Sequence, residues 1–228
     1  MFSTYEITVI LLTLKVAIIS TLFTLPLAIW LGWVLATKNF FGKLLVEGII
    51  SIPLVAPPVV TGYLLLILLG KNGVLGQWLF QVFGIQFAFN FAALIIASVV
   101  VSLPLAVRST KSAFELIDPD YGKASSSLGA SKISTFFRVF LPMAFPGILS
   151  GAVLAFARSL GEFGATISFA GNIFGKTQTI ALMVYSNMQI PGKEIQVTRL
   201  VVFSVLISLL AIIASEYLNK KKKYLIRQ

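Results

Sequence analysis

The sequence has 228 residues, of which 57% are apolar and 11% are charged. Soluble domains hold about 45–50% apolar and about 25% charged residues, so this composition excludes an ordinary soluble protein and favours one that lies in a bilayer. The chain lacks cysteine and histidine, which excludes disulfides, thiolate or imidazole metal ligands, and triads that depend on either residue. We therefore predict no catalytic residue, no metal site and no cofactor bound by this chain.

Five apolar stretches are long enough to cross a membrane as helices, because a span needs about 20 apolar residues. The predicted spans are Ile10–Ala36, Leu44–Leu69, Ala88–Val107, Met143–Ala170 and Leu200–Leu218. A sixth crossing at Val74–Phe87 stays open, although its apolar residues recur at the spacing of a helix that lies in the membrane interface. The predicted fold is an all-α polytopic bundle that forms one transmembrane domain over residues 1–228.

Prolines interrupt the second predicted span at Pro53, Pro57 and Pro58. They remove backbone donors and bend or break a helix, which a membrane tolerates only where protein or a water-filled cavity satisfies the freed carbonyls. Pro57 and Pro58 are therefore candidate residues of a transport pathway. A structural kink without a role in transport is the alternative.

Charged residues also interrupt the spans. Arg158 and Glu162 lie four residues apart in the fourth predicted span, on one face of one helix. Unpaired charges in a membrane cost several kcal/mol, so we predict an ion pair that either neutralises itself inside the bundle or forms part of a gate. Lys15 and Glu47 are expected nearer the interfaces.

The basic residues predict the orientation, because short cytoplasmic loops collect lysine and arginine. With five spans, twelve basic residues fall on one side, among them the run Lys220–Lys223, and four fall on the other. The N-terminus is therefore predicted outside and the C-terminus in the cytoplasm. The net charge of +10 reflects this topology and attraction to anionic membrane lipid, and we predict no nucleic-acid partner.

The loop over residues 108–142, predicted on the cytoplasmic side, is longer and more polar than a connection between two spans requires. Asp118 is expected to cap a helix that begins at Pro119 and ends at Gly129. Ser131 is expected to cap a second helix that Pro142 ends. The two short helices could rest on lipid headgroups or form a docking platform for a cytoplasmic partner.

This loop resembles that of the permease subunits of ABC importers, which carries Glu-Ala-Ala, three residues, Gly, nine residues, and Ile-x-Leu-Pro. The corresponding residues here are Lys123, Ala124, Ser125, Gly129, Val139, Leu141 and Pro142. Lys123 replaces the family's Glu, and Ser125 replaces an Ala. The resemblance implies that the loop docks on a cytoplasmic ATPase subunit, which uses ATP and Mg. The chain itself has no phosphate-binding Gly-x-x-x-x-Gly-Lys-Ser/Thr motif.

Further stretches resemble the molybdate permease family, and the likeness covers nearly the whole chain. They are Thr13–Val16, Ser51–Tyr63, Leu154–Thr166, Gly171–Ile173 and Thr177–Thr179. The resemblance implies a permease in the plasma membrane of a prokaryote that imports molybdate or tungstate with an extracellular or periplasmic oxyanion-binding protein. We also predict a homodimer, because a single five-helix subunit offers little room for a sealed channel with two gates. Sulfate and thiosulfate permeases share part of the pattern, so such a cargo is the alternative.

Two other classes of protein fit the spans. A secondary transporter or channel would explain the embedded charges, but it leaves the capped loop without a purpose. A membrane scaffold would explain the loop as a partner site, but it would move no cargo.

Overall fold

The computed structural model describes residues 3–226, with the side chains of α11 described as far as Ile213 and at Tyr217. The described residues form eleven α-helices and no strand. The helices are α1 Thr4–Thr37, α2 Lys43–Val55, α3 Pro58–Leu69, α4 Gly76–Phe83, α5 Phe91–Glu115, α6 Asp120–Ser127, α7 Lys132–Thr135, α8 Leu141–Leu160, α9 Gly164–Phe169, α10 Ile180–Asn187 and α11 Glu194–Ile226. A π-helical turn, Phe136–Phe140, joins α7 to α8. The side chains of the predicted anchor Lys220–Lys223 lie outside the described set.

Four of these helical segments are long and apolar enough to cross a membrane: α1, α5, the segment Lys132–Leu160, and α11. The pair α2 and α3 adds a fifth crossing if it is one span, bent by 115° at a short break. The prediction of about five spans is therefore confirmed. Val74–Phe87 holds only the eight-residue α4, which is too short to cross, so the described residues contain no sixth span.

Helix α1 lies at the centre of the bundle, where it packs against α5 and α8. Its buried face carries small and hydroxyl residues, which let neighbouring helices approach closely and hydrogen-bond in lipid. Ser20 Oγ donates to Ser159 Oγ at 3.0 Å, and Thr110 Oγ1 donates to the carbonyl of Ala28 at 2.8 Å. These contacts hold α5 and the end of α8 against α1.

Several predicted boundaries are wrong. Helix α5 continues to Glu115, so residues 108–115 of the predicted loop 108–142 are helix that extends past the apolar stretch. Pro142 does not end a helix; it lies in the first turn of α8, directly after the π-helical turn that joins α7 to α8. The fourth span ends at Leu160 instead of Ala170, because the chain leaves the helix at Gly161.

At the other end of the bundle, a buried ion pair holds α1 against α11. Glu6 is fully buried, and Arg199 Nη2 lies 3.1 Å from its Oε1. Glu6 also accepts the backbone N–H of Ser3, which forms a capping box at the start of α1. Helix α10 packs against both α1 and α11. The spacing of Ile180, Met183 and Met188 is compatible with this short helix, which ends at Asn187.

Candidate functional site

Two helix breaks form the first part of the candidate site. The first break lies between α2 and α3, where Ala56 and Pro57 are both extended, with ψ of 145° and 132°. Each precedes a proline, which disfavours the helical region for the residue before it. The carbonyl of Pro57 then accepts from the N–H of Thr61 and starts α3. The predicted break at these prolines is confirmed.

The second break, residues 161–163, lies between α8 and α9 and follows no proline. The helix that follows it packs directly on the first break. A Cβ atom added at Gly164 would lie 2.7 Å from Pro58 Cβ, and one at Gly62 would lie 2.5 Å from the carbonyl oxygen of Ala165. Both distances are too short for a real contact. The absence of side chains at these two glycines therefore allows α3 and α9 to meet, and it brings the two breaks together.

Glu162 lies in the second break and has two partners. Its Oε2 lies 2.6 Å from Arg158 Nη1, and its Oε1 accepts the N–H of Ala165 at 2.7 Å, as an N-cap of α9 does. The contact with Arg158 is an ion pair without the alignment of a good hydrogen bond. The predicted pair forms, but its predicted placement on one helix is wrong, because α8 ends at Leu160.

The two partners differ in how much of each side chain is exposed. The side chain of Glu162 is 1% exposed and that of Arg158 is 26% exposed. The carboxylate is thus enclosed, while the side chain of Arg158 is partly exposed. Since Arg158 and the N–H of Ala165 compensate the charge of Glu162, the second break presents no uncompensated negative charge.

Sequence analysis missed Thr61 as a candidate site residue. It lies one turn after Pro57, it is buried, and its Oγ1 has no hydrogen-bond partner among the residues that the structure describes. A buried hydroxyl without a partner is costly, so it can donate to a water molecule or to an oxygen atom of a ligand. Its position could have indicated it, because Thr61 is a hydroxyl residue that lies three residues after Pro58 in an otherwise apolar stretch.

Other charges inside the spans are paired by helices far apart in sequence. Lys111 Nζ lies 2.7 Å from Glu47 Oε1 and 3.6 Å from Glu115 Oε1, so the pair links α2 to α5. The sequence placed Lys111 in a loop, whereas α5 carries it. Lys15 is exposed, and its Nζ lies 5.0 Å above the ring of Phe91.

The second part of the candidate site is the arm, residues 116–140, which connects α5 to α8. Asp118 Oδ1 accepts the N–H of Asp120 at 2.9 Å, but α6 begins at Asp120, one residue later than predicted. The N-cap position is therefore Pro119, which offers no side-chain cap, and the prediction of Asp118 as the N-cap is wrong. Gly129 has a φ of +81°, the left-handed conformation expected of a glycine past a helix end. Ser131 Oγ accepts the N–H of Ser134 and caps α7, as predicted.

A hydroxyl contact joins the two helices of the arm, and an aromatic contact joins the arm to α1. Ser125 Oγ and Thr135 Oγ1 lie 2.9 Å apart and join α6 to α7. The ring of Phe136 lies 5.1 Å from that of Trp33 on α1. Because the π-helical turn runs on into α8, the second part of the arm, from Lys132, and the fourth span form one continuous element of 29 residues.

The family positions on the arm differ in exposure. Ala124 and Pro142 are exposed, whereas Val139 and Leu141 are half-buried. Lys123 Nζ lies 2.7 Å from Asp120 Oδ1, and both side chains are more than 70% exposed. The lysine at the family's glutamate position therefore has an acidic partner within α6. The described residues contain no group of three acidic side chains that could hold a metal ion.

Two relatives match the chain over nearly all of its length. The chain is 50% identical to the molybdenum transport system permease protein ModB of Haemophilus influenzae over 216 residues, which cover 95% of this chain and 94% of the relative. It is 44% identical to the protein of the same name from Escherichia coli K12 over 211 residues, 92% of each chain.

The fold has a close counterpart among solved structures. A chain from the inward-facing structure of the MetNI methionine ABC transporter superposes with a TM-score of 0.74 over 96% of this chain and 99% of that chain, at 17% identity. The family described as binding-protein-dependent transport system inner membrane component matches residues 25–224. The chain therefore belongs to this family of membrane permease subunits.

Proposed function

We propose that this chain is the transmembrane subunit of an ATP-driven importer that carries molybdate, or tungstate, across the cytoplasmic membrane by alternating access. The observation that carries the proposal is the near full-length similarity to molybdenum permeases. The geometry adds a physical route from an ATPase to a gate.

The arm is the proposed attachment point for a cytoplasmic ATPase. Helix α6 is short, its first N–H donates to Asp118 Oδ1, and Gly129 closes its end, so it keeps its shape without burial in this subunit. It also leaves apolar groups open, and Leu128 is 88% exposed. An exposed apolar surface on a short helix favours a protein partner over water. In this proposal, ATP binds to the ATPase subunit and not to this chain.

Helix α8 is the proposed lever between the ATPase and the gate. The segment Lys132–Leu160 is about 40 Å long at 1.5 Å per residue, and Arg158 lies at the end opposite the arm. Movement of the arm by a partner would therefore move Arg158 relative to Glu162, which belongs to the next element. A continuous helix is suited to this role because it transmits displacement without bending at a loop.

The two breaks are the proposed gate. An oxyanion needs cationic or N–H and O–H donors along its path, and a free carboxylate would repel it. In the state described here, Arg158 neutralises Glu162 and Pro58 lies against α9. We propose that Pro57 and Pro58 separate from the start of α9 when the gate opens, and that Arg158 then faces the cargo. The hydroxyl of Thr61 is a further donor on this path.

A homodimer with its pathway between the subunits completes the proposal. A single five-span subunit offers little room for two gates, and a twofold pair gives each ATPase its own arm. Helix α2 supports this reading, because it is apolar and none of its residues is buried within the subunit. The excess of basic residues on the side of the arm favours an external N-terminus and a cytoplasmic C-terminus.

Reconstitution in vesicles tests the proposal. Molybdate uptake should require the chain, an ATPase subunit, an oxyanion-binding protein and ATP together. Uptake driven by an ion gradient without the ATPase would identify a secondary transporter instead. Competition by sulfate, thiosulfate and tungstate with the complete complex resolves the cargo, and equal competition by sulfate would overturn the assignment to molybdate.

A further inference from the structure

Two open cavities meet at Trp33, near the end of α1. The first has a volume of about 540 Å³, and its wall includes Lys38 of α1 and Lys123 and Lys132 of the arm. The second has a volume of about 440 Å³ and is lined by apolar groups, among them Pro26, Trp30, Phe136 and Phe137. Trp33 lines both, so a cationic cavity and an apolar cavity share one wall.

The first cavity has an excess of positive charge. Lys38 Nζ lies 6.0 Å above the ring of Trp33. Lys132 is exposed at the start of α7, and Lys123 is paired with Asp120. Three lysines and one carboxylate therefore leave the cavity cationic. An anionic group complements this charge, and the rings of Trp33 and Phe140 in the same wall favour one that is attached to an apolar body.

The distance between the two cavities matches the distance between the charged and apolar parts of an amphiphilic molecule. Pro26 and Trp30 lie twelve and eight residues before Lys38 on the same helix, which corresponds to about 12–18 Å along its axis. The lysines lie where α1 ends, and the apolar cavity lies within the part of α1 that crosses the membrane. Tryptophans are also typical of the level at which headgroups meet acyl chains.

We propose that the two cavities bind one anionic phospholipid, with the headgroup phosphate among Lys38, Lys123 and Lys132 and an acyl chain against Pro26, Trp30 and Phe137. Such a lipid would bridge α1 to the arm, because each contributes to both cavities. The position of the arm then depends on the charge of the surrounding lipid. The proposal does not depend on the identity of the cargo.

Tryptophan fluorescence of the full-length chain in nanodiscs tests this site. Trp30→Phe/Trp78→Phe leaves Trp33 as the single tryptophan. The nanodiscs consist of phosphatidylcholine with a small fraction of a brominated lipid, which is either phosphatidylglycerol or phosphatidylcholine. The bromine atoms on its acyl chains quench a nearby indole. We expect stronger quenching by the brominated phosphatidylglycerol, and we expect high salt to reduce this difference.

Matched lysine variants locate the effect. Lys38→Gln/Lys132→Gln should weaken the apparent affinity for phosphatidylglycerol by about fivefold per lysine removed, with unchanged quenching by brominated phosphatidylcholine. Lys43→Gln is the control, because Lys43 lies near the same end of the bundle but outside the cavity wall. It should keep the preference.

Three results would overturn the proposal. Equal quenching by the two brominated lipids in the parent protein would show that there is no selective site. Loss of the preference in Lys43→Gln as large as that in the double variant would show general surface attraction. Competition by glycerol 3-phosphate as strong as that by unbrominated phosphatidylglycerol at the same concentration would show that the acyl chain contributes nothing and that the cavity is a site for a free anion. The salt dependence of the parent protein tests the site even if the double variant does not fold.

Discussion

The two parts of the candidate site are held in place by different kinds of interaction. At the breaks, Glu162 is buried between Arg158 and the start of α9, and Gly164 allows contact with Pro58. In the arm, exposed hydrogen bonds between side chains and backbone N–H groups, together with Gly129, hold two short helices whose outer surfaces are open. Packing and burial determine the breaks, whereas local backbone chemistry determines the arm. Substitutions at the breaks should therefore cost more stability than substitutions in the arm.

The largest effect is expected for Glu162→Ala. It leaves Arg158 without its carboxylate and α9 without its cap. Removal of one partner of a buried pair costs about 3–5 kcal/mol. We expect a large fall in the thermal unfolding temperature in detergent and loss of molybdate uptake in vesicles. Native unfolding and uptake in this variant would contradict the assignment of Glu162 to the gate.

The double variant Arg158→Met/Glu162→Gln separates a structural role from a gating role. It removes both charges and keeps an oxygen that can accept the N–H of Ala165. Replacement of both members of a buried pair by neutral groups is often neutral for stability, so unfolding should return towards that of the parent. If the pair only stabilises the bundle, uptake should return as well. If Arg158 faces the cargo, uptake should remain lost.

The next largest effect is expected for Gly164→Ala, which tests the contact between the breaks. The added Cβ would lie 2.7 Å from Pro58 Cβ, so α3 and α9 would have to move apart. Overpacking of this kind costs about 1–3 kcal/mol. Gly161→Ala is the control, because the nearest atom to its added Cβ is 4.0 Å away. Equal unfolding temperatures for the two variants would contradict close packing of the breaks.

A smaller effect is expected for Gly129→Ala in the arm. At a φ of +81°, alanine costs about 1 kcal/mol more than glycine. Gly175→Ala is the matched control, since Gly175 has a φ of +71° and, like Gly129, open space around its Cβ position. Both variants should lose similar stability, but only Gly129→Ala should reduce the coupling of ATP hydrolysis to uptake. Equal loss of uptake in both would argue against a coupling role for the arm.

The spans could be predicted from the sequence, because apolar length reports directly on contact with lipid. The first break could also be predicted, since Pro57 and Pro58 act on the backbone beside them. The second break was missed because hydropathy does not report a helix end inside an apolar stretch. The extension of α5 to Glu115 was missed because the apolar stretch ends before the helix does, so hydropathy does not report the last turns of α5.

The long-range contacts could not be predicted from one sequence. Lys111 and Glu47 are 64 residues apart, and Arg199 and Glu6 are 193 residues apart. Each charge could be recognised as one that needs a partner in the membrane, but the partner depends on how the helices pack. The cap at Ser131 could be predicted because its partner, the N–H of Ser134, lies three residues away.

The smallest effect is expected for Lys123→Ala, and it tests whether burial decides the strength of these ion pairs. The contacts Lys123–Asp120 and Arg158–Glu162 have nearly equal lengths, 2.7 and 2.6 Å. An exposed pair contributes about 0–1 kcal/mol, because water screens it and replaces its partners. We expect a change of less than about 0.5 kcal/mol in the free energy of unfolding for Lys123→Ala. Lys111→Ala, at a pair that is about one quarter exposed, should fall between this variant and Glu162→Ala. A cost for Lys123→Ala as large as that for Lys111→Ala would mean that the arm depends on its charges and not on its caps.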